Sequence, residues 1–239
     1  MEDQEGLIAC VVGAEEKISD WCNSNGFTRS YVFEERLGTS GKLVELGNAL
    51  FKAGDAEGAK VHYLAAGYHA DFDAGHQWDM TTEHKEEIRL AKVRVLLNLA
   101  NAGNKLSEYS LTKKACTLGL KLNASRKDQA AKFLYRRARA MLETGCLKEA
   151  VSDAKMSLEI LPNDAAVREV YVKASEGLKK LSADMWKGKA NLFDFPHVEL
   201  VLTDDKTVPF GKKQERMNDG SPKNSMWETL CCKRKKKIG

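Results

Sequence analysis

Two neighbouring stretches of the sequence form the pattern of a tightly packed helix pair, and this pattern constrains the fold more than any other feature. The stretches Leu43–Gly54 and Ala56–Ala66 are rich in Ala and Leu, and Gly54 with Asp55 makes the turn between them. Small or apolar residues recur along both at helical spacing, which lets the two helices approach closely. These residues are Leu46, Gly47, Leu50, Ala59, Tyr63 and Ala66. Helix pairs that recur with a period of about 34 residues predict a solenoid.

A second clear helix pair lies further along the chain. Its small contact residues are Ala138, Ala150 and Ala154, and Gly145 stands at the turn between the helices. Pro162 ends the pair, because proline cannot continue a helix. The sequence therefore predicts at least two equivalent helix pairs.

A weaker pair is predicted between these two. It runs over residues 86–103 and 107–120, and an insertion near residues 70–83 breaks the period before it. Three residues stand at the corresponding helix-contact positions: Thr112, Cys116 and Gly119. The chain is thus expected to contain three helix pairs.

The segments that flank the pairs complete the predicted organisation. Apolar residues at helical spacing over residues 163–189 predict a helix that caps the last pair. Residues 7–21 predict a further helix, with a stop signal at residues 23–26. We therefore expect an N-terminal helical extension over residues 1–40, a repeat domain with its capping helix over residues 41–190, and a mobile tail over residues 191–239.

Composition supports a helical fold and narrows the functional classes. Only four prolines occur in 239 residues, while Ala, Leu, Lys and Glu are abundant. The formal charge of +4 depends on the basic run at residues 233–237, so we expect no nucleic-acid partner. The six cysteines show no C-x-x-C spacing, and no apolar signal segment follows Met1, which predicts a cytoplasmic or nuclear location. No apolar stretch approaches the roughly 20 residues that cross a bilayer.

Over about residues 30–190 the sequence resembles the tetratricopeptide-repeat (TPR) region of the large immunophilins and related co-chaperones. The segments Leu97–Ala100 and Phe133–Arg137 are similar to the openings of that family's second and third repeats. The family also has a lengthened connection between its first two repeats and a helix after the third. The resemblance implies an all-α fold, a right-handed superhelix of three TPR helix pairs with a C-terminal capping helix.

The resemblance also implies a peptide-binding groove. In that family the groove binds the C-terminal Glu-Glu-Val-Asp of cytosolic heat-shock chaperones through Lys, Asn, Asn, Lys and Arg. Position by position, the last four of these fall on Asn48, Asn98, Lys132 and Arg136, whereas the leading Lys falls on Val44. The loss of that ammonium removes a charge-assisted hydrogen bond worth roughly 1.5–3 kcal/mol. Lys52, one turn beyond Asn48, is a candidate replacement.

Independently of the family, helical spacing predicts a groove rich in donors and positive charge. Arg94 lies one turn before Asn98, and Lys132 lies one turn before Arg136, on the first helices of successive pairs. Further candidates are Asn48, Lys52, Asn101, Lys105 and Arg139. Such a surface suits an acidic C-terminal peptide, because Asn donates neutral hydrogen bonds while Lys and Arg supply charge.

Two alternatives to peptide binding stay open at these positions. The basic residues are also consistent with a solvated helix surface, and an Asn side chain can satisfy a neighbouring carbonyl. The partner is predicted to be a protein with an acidic C-terminus, with heat-shock chaperones as candidates. The competing hypothesis is a scaffold subunit that binds an internal segment, which an apolar contact at Val44 would favour.

We expect no catalysis, metal or cofactor. Only about 40 residues precede the first repeat, too few for an isomerase domain of roughly 100 residues. The histidines near the first insertion have spacings of seven and eight residues and no nearby Cys to complete a metal site. Cys231 and Cys232 beside the basic run are candidates for lipidation and peripheral membrane contact; a nuclear-import signal or a solvated charge run are the alternatives.

Overall fold

The computed structural model describes Val11, Gly13 and residues 15–72, 80–122 and 126–186, with the side chains of Met185 and Trp186 left out. All of these residues belong to the first of two compact units, residues 1–198. Over these ranges the regular structure is helical. The helices are α1 (Glu15–Ser24), α2 (Phe33–Lys52), α3 (Ala56–Ala70), α4 (Thr82–Lys105), α5 (Tyr109–Leu122), α6 (Lys127–Glu143), α7 (Leu147–Ile160) and α8 (Ala165–Trp186).

Several predictions concern residues outside these ranges. The tail over residues 191–239, including Cys231 and Cys232, lies outside the described residues. The same holds for most of residues 1–14. None of the helices in the described part of the chain is long and apolar enough to span a membrane.

The predicted all-α fold with three helix pairs and a final helix is confirmed. Helices α2 and α3, α4 and α5, and α6 and α7 pack as antiparallel pairs, and α8 packs against α6 and α7. The turns at Gly54 and Gly145 have φ values of +95° and +75°, a region that glycine enters without steric cost. Asp55 caps α3 by accepting a 2.8 Å hydrogen bond from the Gly58 amide.

Close approach of helices depends on glycines at the contacts. A Cβ built on Gly47 would lie 2.6 Å from Cε1 of Tyr63, and a Cβ on Gly119 would lie 2.2 Å from Cζ of Phe133. Neither distance is compatible with a methyl group. The small residues predicted for the second pair, Thr112 and Cys116, are fully buried, which confirms that pair.

One predicted contact is wrong. Leu46 is 45% exposed, although the helix-pair pattern placed it among the contact residues. The buried face of α2 runs through Leu43, Val44 and Gly47. Successive helical residues are rotated by about 100°, which turns Leu46 away from that face.

Helix α1 packs against α3. It ends at Ser24 rather than at the predicted Trp21, and its Cys22 is fully buried. The Trp21 ring meets the edge of the His62 ring with centroids 5.1 Å apart. The Ser19 and Tyr68 hydroxyls lie 3.1 Å apart and form a hydrogen bond. This extension is therefore part of the repeat domain's packing.

The start of the first insertion is held by charged side chains. Arg29 and Arg36 both donate to the Asp71 carbonyl, and Arg36 Nε donates to the His69 carbonyl over 2.8 Å. Lys92 on α4 pairs with the Asp71 carboxylate at 2.7 Å. These contacts tie α2, α3 and α4 together at one end.

His69 is the fully buried titratable ring of this region. Burial lowers its pKa to about 4; the Phe27 backbone acts in the opposite direction, and the guanidinium groups of Arg36 and Arg29 lower it further. His69 is therefore neutral at physiological pH.

An ion pair joins the two helices of the third pair, and α8 packs against both of them. Arg137 on α6 holds the Asp153 carboxylate of α7 with two hydrogen bonds of 2.6 and 2.9 Å, and the Asp153 side chain is only 5% exposed. Val167, Val170 and Ala174 of α8 are buried, with both valines in the core that α6 and α7 form. The predicted capping role of this last helix agrees with that burial.

Candidate peptide-binding groove

Helices α2, α4 and α6 are the first helices of the three pairs, and a chain of hydrogen bonds runs across them. Asn98 Nδ2 on α4 donates to Asn48 Oδ1 on α2 over 3.1 Å. The Tyr63 hydroxyl on α3 donates to the same oxygen over 2.9 Å. The side chains of Asn48 and Asn98 are half-buried. The pair of asparagines predicted from sequence is thus in direct contact.

Arg136 on α6 extends this chain to the third helix. Its Nη1 donates to the Leu97 carbonyl, one residue before Asn98. Its own carbonyl accepts a 3.1 Å hydrogen bond from Asn104 Nδ2. We call Asn48, Asn98 and Arg136 the groove centre. Three of the predicted peptide-binding residues therefore meet at one place.

The guanidinium of Arg136 is half-buried, and no carboxylate of the described residues pairs with it. Burial lowers the pKa of the Arg136 guanidinium, although arginine stays protonated at neutral pH. Among the described residues no carboxylate forms an ion pair with it, in contrast to its neighbour Arg137. A half-buried guanidinium that no carboxylate pairs with is a candidate for binding an anion.

The other predicted residues lie on the same three helices as the groove centre. Lys132 is exposed one turn before Arg136, and Arg94 is exposed one turn before Asn98. Lys52 and Lys105 are the exposed last residues of α2 and α4. Asn101 is half-buried on α4. Their contact with a ligand stays a prediction.

Arg139 lies close to an ion pair of α8. Lys173 Nζ is 2.6 Å from Glu169 Oε1, and Arg139 lowers the pKa of the Glu169 carboxyl by a smaller amount than Lys173 does. Its charge is partly balanced by Glu169, which makes it a weaker candidate than Arg136.

A cleft of about 260 Å³ opens between α2 and α4 next to the groove centre. Val44, the residue that stands in place of the family's leading Lys, is 3% exposed and forms part of its wall. Arg94 lies in the opposite wall of the cleft, which α4 forms. The full lining is Leu37, Ser40, Gly41, Val44, Glu87, Leu90, Ala91 and Arg94. The cleft is therefore largely apolar, with one acid and one base.

Sequence reasoning missed three residues of this region. Asn104 is 8% exposed, and the signal that singled out Asn98, an asparagine inside a helix, applied equally to it. Glu87 lies seven residues before Arg94, on the same face of α4. The Tyr63 hydroxyl was not predictable as a partner of Asn48, because that contact depends on how α2 and α3 pack.

Metal-ligand clusters and buried thiols are the remaining groups of chemical interest among the described residues. Within those ranges, no group of three or more His, Cys, Asp or Glu is placed to hold a metal ion. Burial raises the pKa of Cys22 to about 11 and that of Cys116 to about 12. Both thiols are thus protonated and unreactive at neutral pH.

Comparison with known proteins finds similarity to peptidyl-prolyl cis-trans isomerases. No model of a known protein family matches the chain. It is 36% identical over 142 residues to peptidyl-prolyl cis-trans isomerase D of Cryptococcus neoformans, which covers 56% of this chain and 37% of that protein. It is 24% identical over 161 residues to the human peptidyl-prolyl cis-trans isomerase FKBP4, covering 67% and 33%. The chain therefore spans about a third of the length of these relatives, and the similarity lies in their repeat part.

A solved structure shows the same fold. The C-terminal TPR-containing domain of an FK506-binding protein of Plasmodium falciparum superposes with a TM-score of 0.58 at 25% identity. The match covers 64% of this chain and 97% of that domain. Together with the three helix pairs and the closing helix, these similarities show that the chain has the TPR helical-repeat fold and resembles the large immunophilins and related co-chaperones.

Proposed function

We propose that this chain is a protein-interaction domain of the co-chaperone type, whose groove binds the acidic C-terminal segment of a partner protein. The observation that carries the proposal is Arg136, half-buried beside the Asn48–Asn98 pair without a carboxylate partner among the described residues. A peptide carboxylate would supply the missing counter-ion.

The chemistry of the groove favours a carboxylate over other anions. Asparagine amides donate neutral hydrogen bonds in the plane of a carboxylate, and the Asn48 amide nitrogen has no protein acceptor among the described residues. Lys132 and Arg94 add mobile positive charge at exposed positions nearby. Neutral donors at the centre with cations around them would recognise a short peptide that ends in acidic residues.

The candidate ligand is the Glu-Glu-Val-Asp terminus of cytosolic heat-shock chaperones. The similarity to the repeat part of peptidyl-prolyl isomerases supports this choice. In this proposal the chain works in the cytoplasm as an adaptor and performs no covalent chemistry itself.

Titration calorimetry with an acidic peptide ending in Met-Glu-Glu-Val-Asp tests the proposal. We expect Lys132→Ala to weaken binding about tenfold, because it removes one charge-assisted hydrogen bond. Lys155→Ala is the matched control, since Lys155 is an exposed lysine on the second helix of the same pair. Equal binding by the two variants would contradict the proposed groove.

One observation favours a second candidate, a scaffold subunit that binds an internal segment of its partner. Val44 is apolar and buried in the wall of the cleft, where the family has the leading lysine of its clamp. An internal segment has no terminal carboxylate, so it would bind equally well with a free or an amidated end. Loss of affinity on amidation would exclude this candidate.

A further inference from the structure

The geometry of the cleft places Arg94 opposite Val44. Val44 lies one turn before Asn48 on α2, and Arg94 lies one turn before Asn98 on α4. Residues that precede Asn48 line the cleft together with residues that precede Asn98, so the two helices run in the same direction. Since Asn48 and Asn98 are hydrogen-bonded, the side chains one turn earlier face each other across the groove.

Arg94 is the one cation among the described residues that line this cleft. It is exposed, and no carboxylate of the described residues forms an ion pair with it. The acid of the cleft, Glu87, is seven residues away along α4, a rise of roughly 10 Å. The positive end of the cleft therefore adjoins the groove centre, and the negative end lies away from it.

We propose that Arg94 replaces the missing clamp lysine: it binds the terminal carboxylate of the peptide from α4, the opposite side of the groove from position 44. The proposal rests on the function proposed above. A guanidinium can hold a carboxylate with two parallel hydrogen bonds, which a lysine ammonium cannot do. The apolar side chain of Val44 places no competing charge on that side of the cleft.

A double-mutant cycle isolates the contact between Arg94 and the terminal carboxylate. One change is made in the protein and the other in the peptide. Arg94→Gln is measured against the free-acid peptide ending in Met-Glu-Glu-Val-Asp and against the same peptide with an amidated C-terminus. Because the proposed contact is with the terminal carboxylate, we expect Arg94→Gln to weaken binding of the acid about tenfold and of the amide less than twofold. The affinity of Arg94→Lys for the acid should lie between those of the wild type and Arg94→Gln. Lysine keeps the positive charge but cannot form two parallel hydrogen bonds with a carboxylate.

A matched control and a rescue complete the design. Lys85→Gln removes a positive charge from an exposed site on the same helix, nine residues away and so on its opposite side. We expect it to bind as the wild type does. Val44→Lys should recover most of the affinity lost in Arg94→Gln. Val44 is 3% exposed, so circular dichroism must first confirm that this variant is folded; if it is not, the cycle with the two peptides decides.

The outcomes separate this inference from the proposed function. If the wild type binds neither peptide, the proposed function fails, and the inference fails with it. If the wild type prefers the acid but Arg94→Gln binds it within twofold of the wild type, Arg94 is not the replacement while the proposed function stands. An equal loss with both peptides would also overturn the inference, since it would mean a general charge effect.

Discussion

Replacing Gly119 by alanine should destabilise the protein, although the same change in a helix usually stabilises it. Gly119 lies on α5, and a Cβ there would be 2.2, 2.3 and 2.7 Å from Cζ, Cε1 and Cε2 of Phe133 on α6. Phe133 is fully buried in the main core. Its ring cannot move away without displacing its neighbours, so the methyl group must push α5 and α6 apart.

The expected size follows from two opposing effects. Overpacking of a core by one methyl group costs about 1–3 kcal/mol. Alanine gains roughly 0.5–1 kcal/mol over glycine in a helix interior. Subtracting the second effect from the first gives a net loss of about 0–2.5 kcal/mol in the free energy of unfolding, and the three short contacts with Phe133 place Gly119→Ala in the upper half of that range.

Gly38→Ala on α2 is the matched control. Gly38 is also helical, but it is exposed, and a Cβ there would meet nothing within 4 Å. It should gain about 0.5–1 kcal/mol. Urea unfolding followed by circular dichroism at 222 nm measures both variants. If Gly119→Ala is as stable as Gly38→Ala, the contact between the second and third helix pairs is not as close as described.

Two further predictions concern the buried charges and the buried histidine. Asp153→Ala leaves Arg137 without its partner and should lower the free energy of unfolding by about 3 kcal/mol, whereas Glu169→Ala in an exposed pair should leave the urea midpoint unchanged. His69 has a pKa near 4 in the folded chain, below its usual value of about 6.5 in the unfolded chain, so the unfolded chain binds more protons between these values. Stability should therefore fall as the pH drops through this range, by about 2 kcal/mol from pH 7 to pH 5 for this group. His69→Gln should remove that part of the pH dependence in urea titrations, and His62→Gln should keep it; equal pH profiles for the two variants would contradict the assignment.

The repeat architecture was predictable because it depends on local patterns. Small residues at helical spacing, glycines at turns and Pro162 identified each helix pair, including the second pair, whose contact residues Thr112 and Cys116 are fully buried. The prediction for Leu46 was wrong because the pattern does not show which of several apolar residues on one helix faces the partner helix.

The groove was predictable only in part. Helical spacing and the family resemblance identified Asn48, Asn98 and Arg136, which the fold brings together. The position of Arg94 opposite Val44 depends on the relative direction and register of α2 and α4, and these are set by tertiary packing. No periodicity within one helix contains that information.

A comparison of two peptides tests whether binding depends on the terminal carboxylate. The purified wild-type protein is titrated by calorimetry with the acidic peptide ending in Met-Glu-Glu-Val-Asp and with its C-terminally amidated twin at the same salt concentration. We expect the free acid to bind about tenfold or more tightly than the amide, because amidation removes one charge-assisted contact. Equal affinities for the two peptides, or no binding of either, would contradict this expectation.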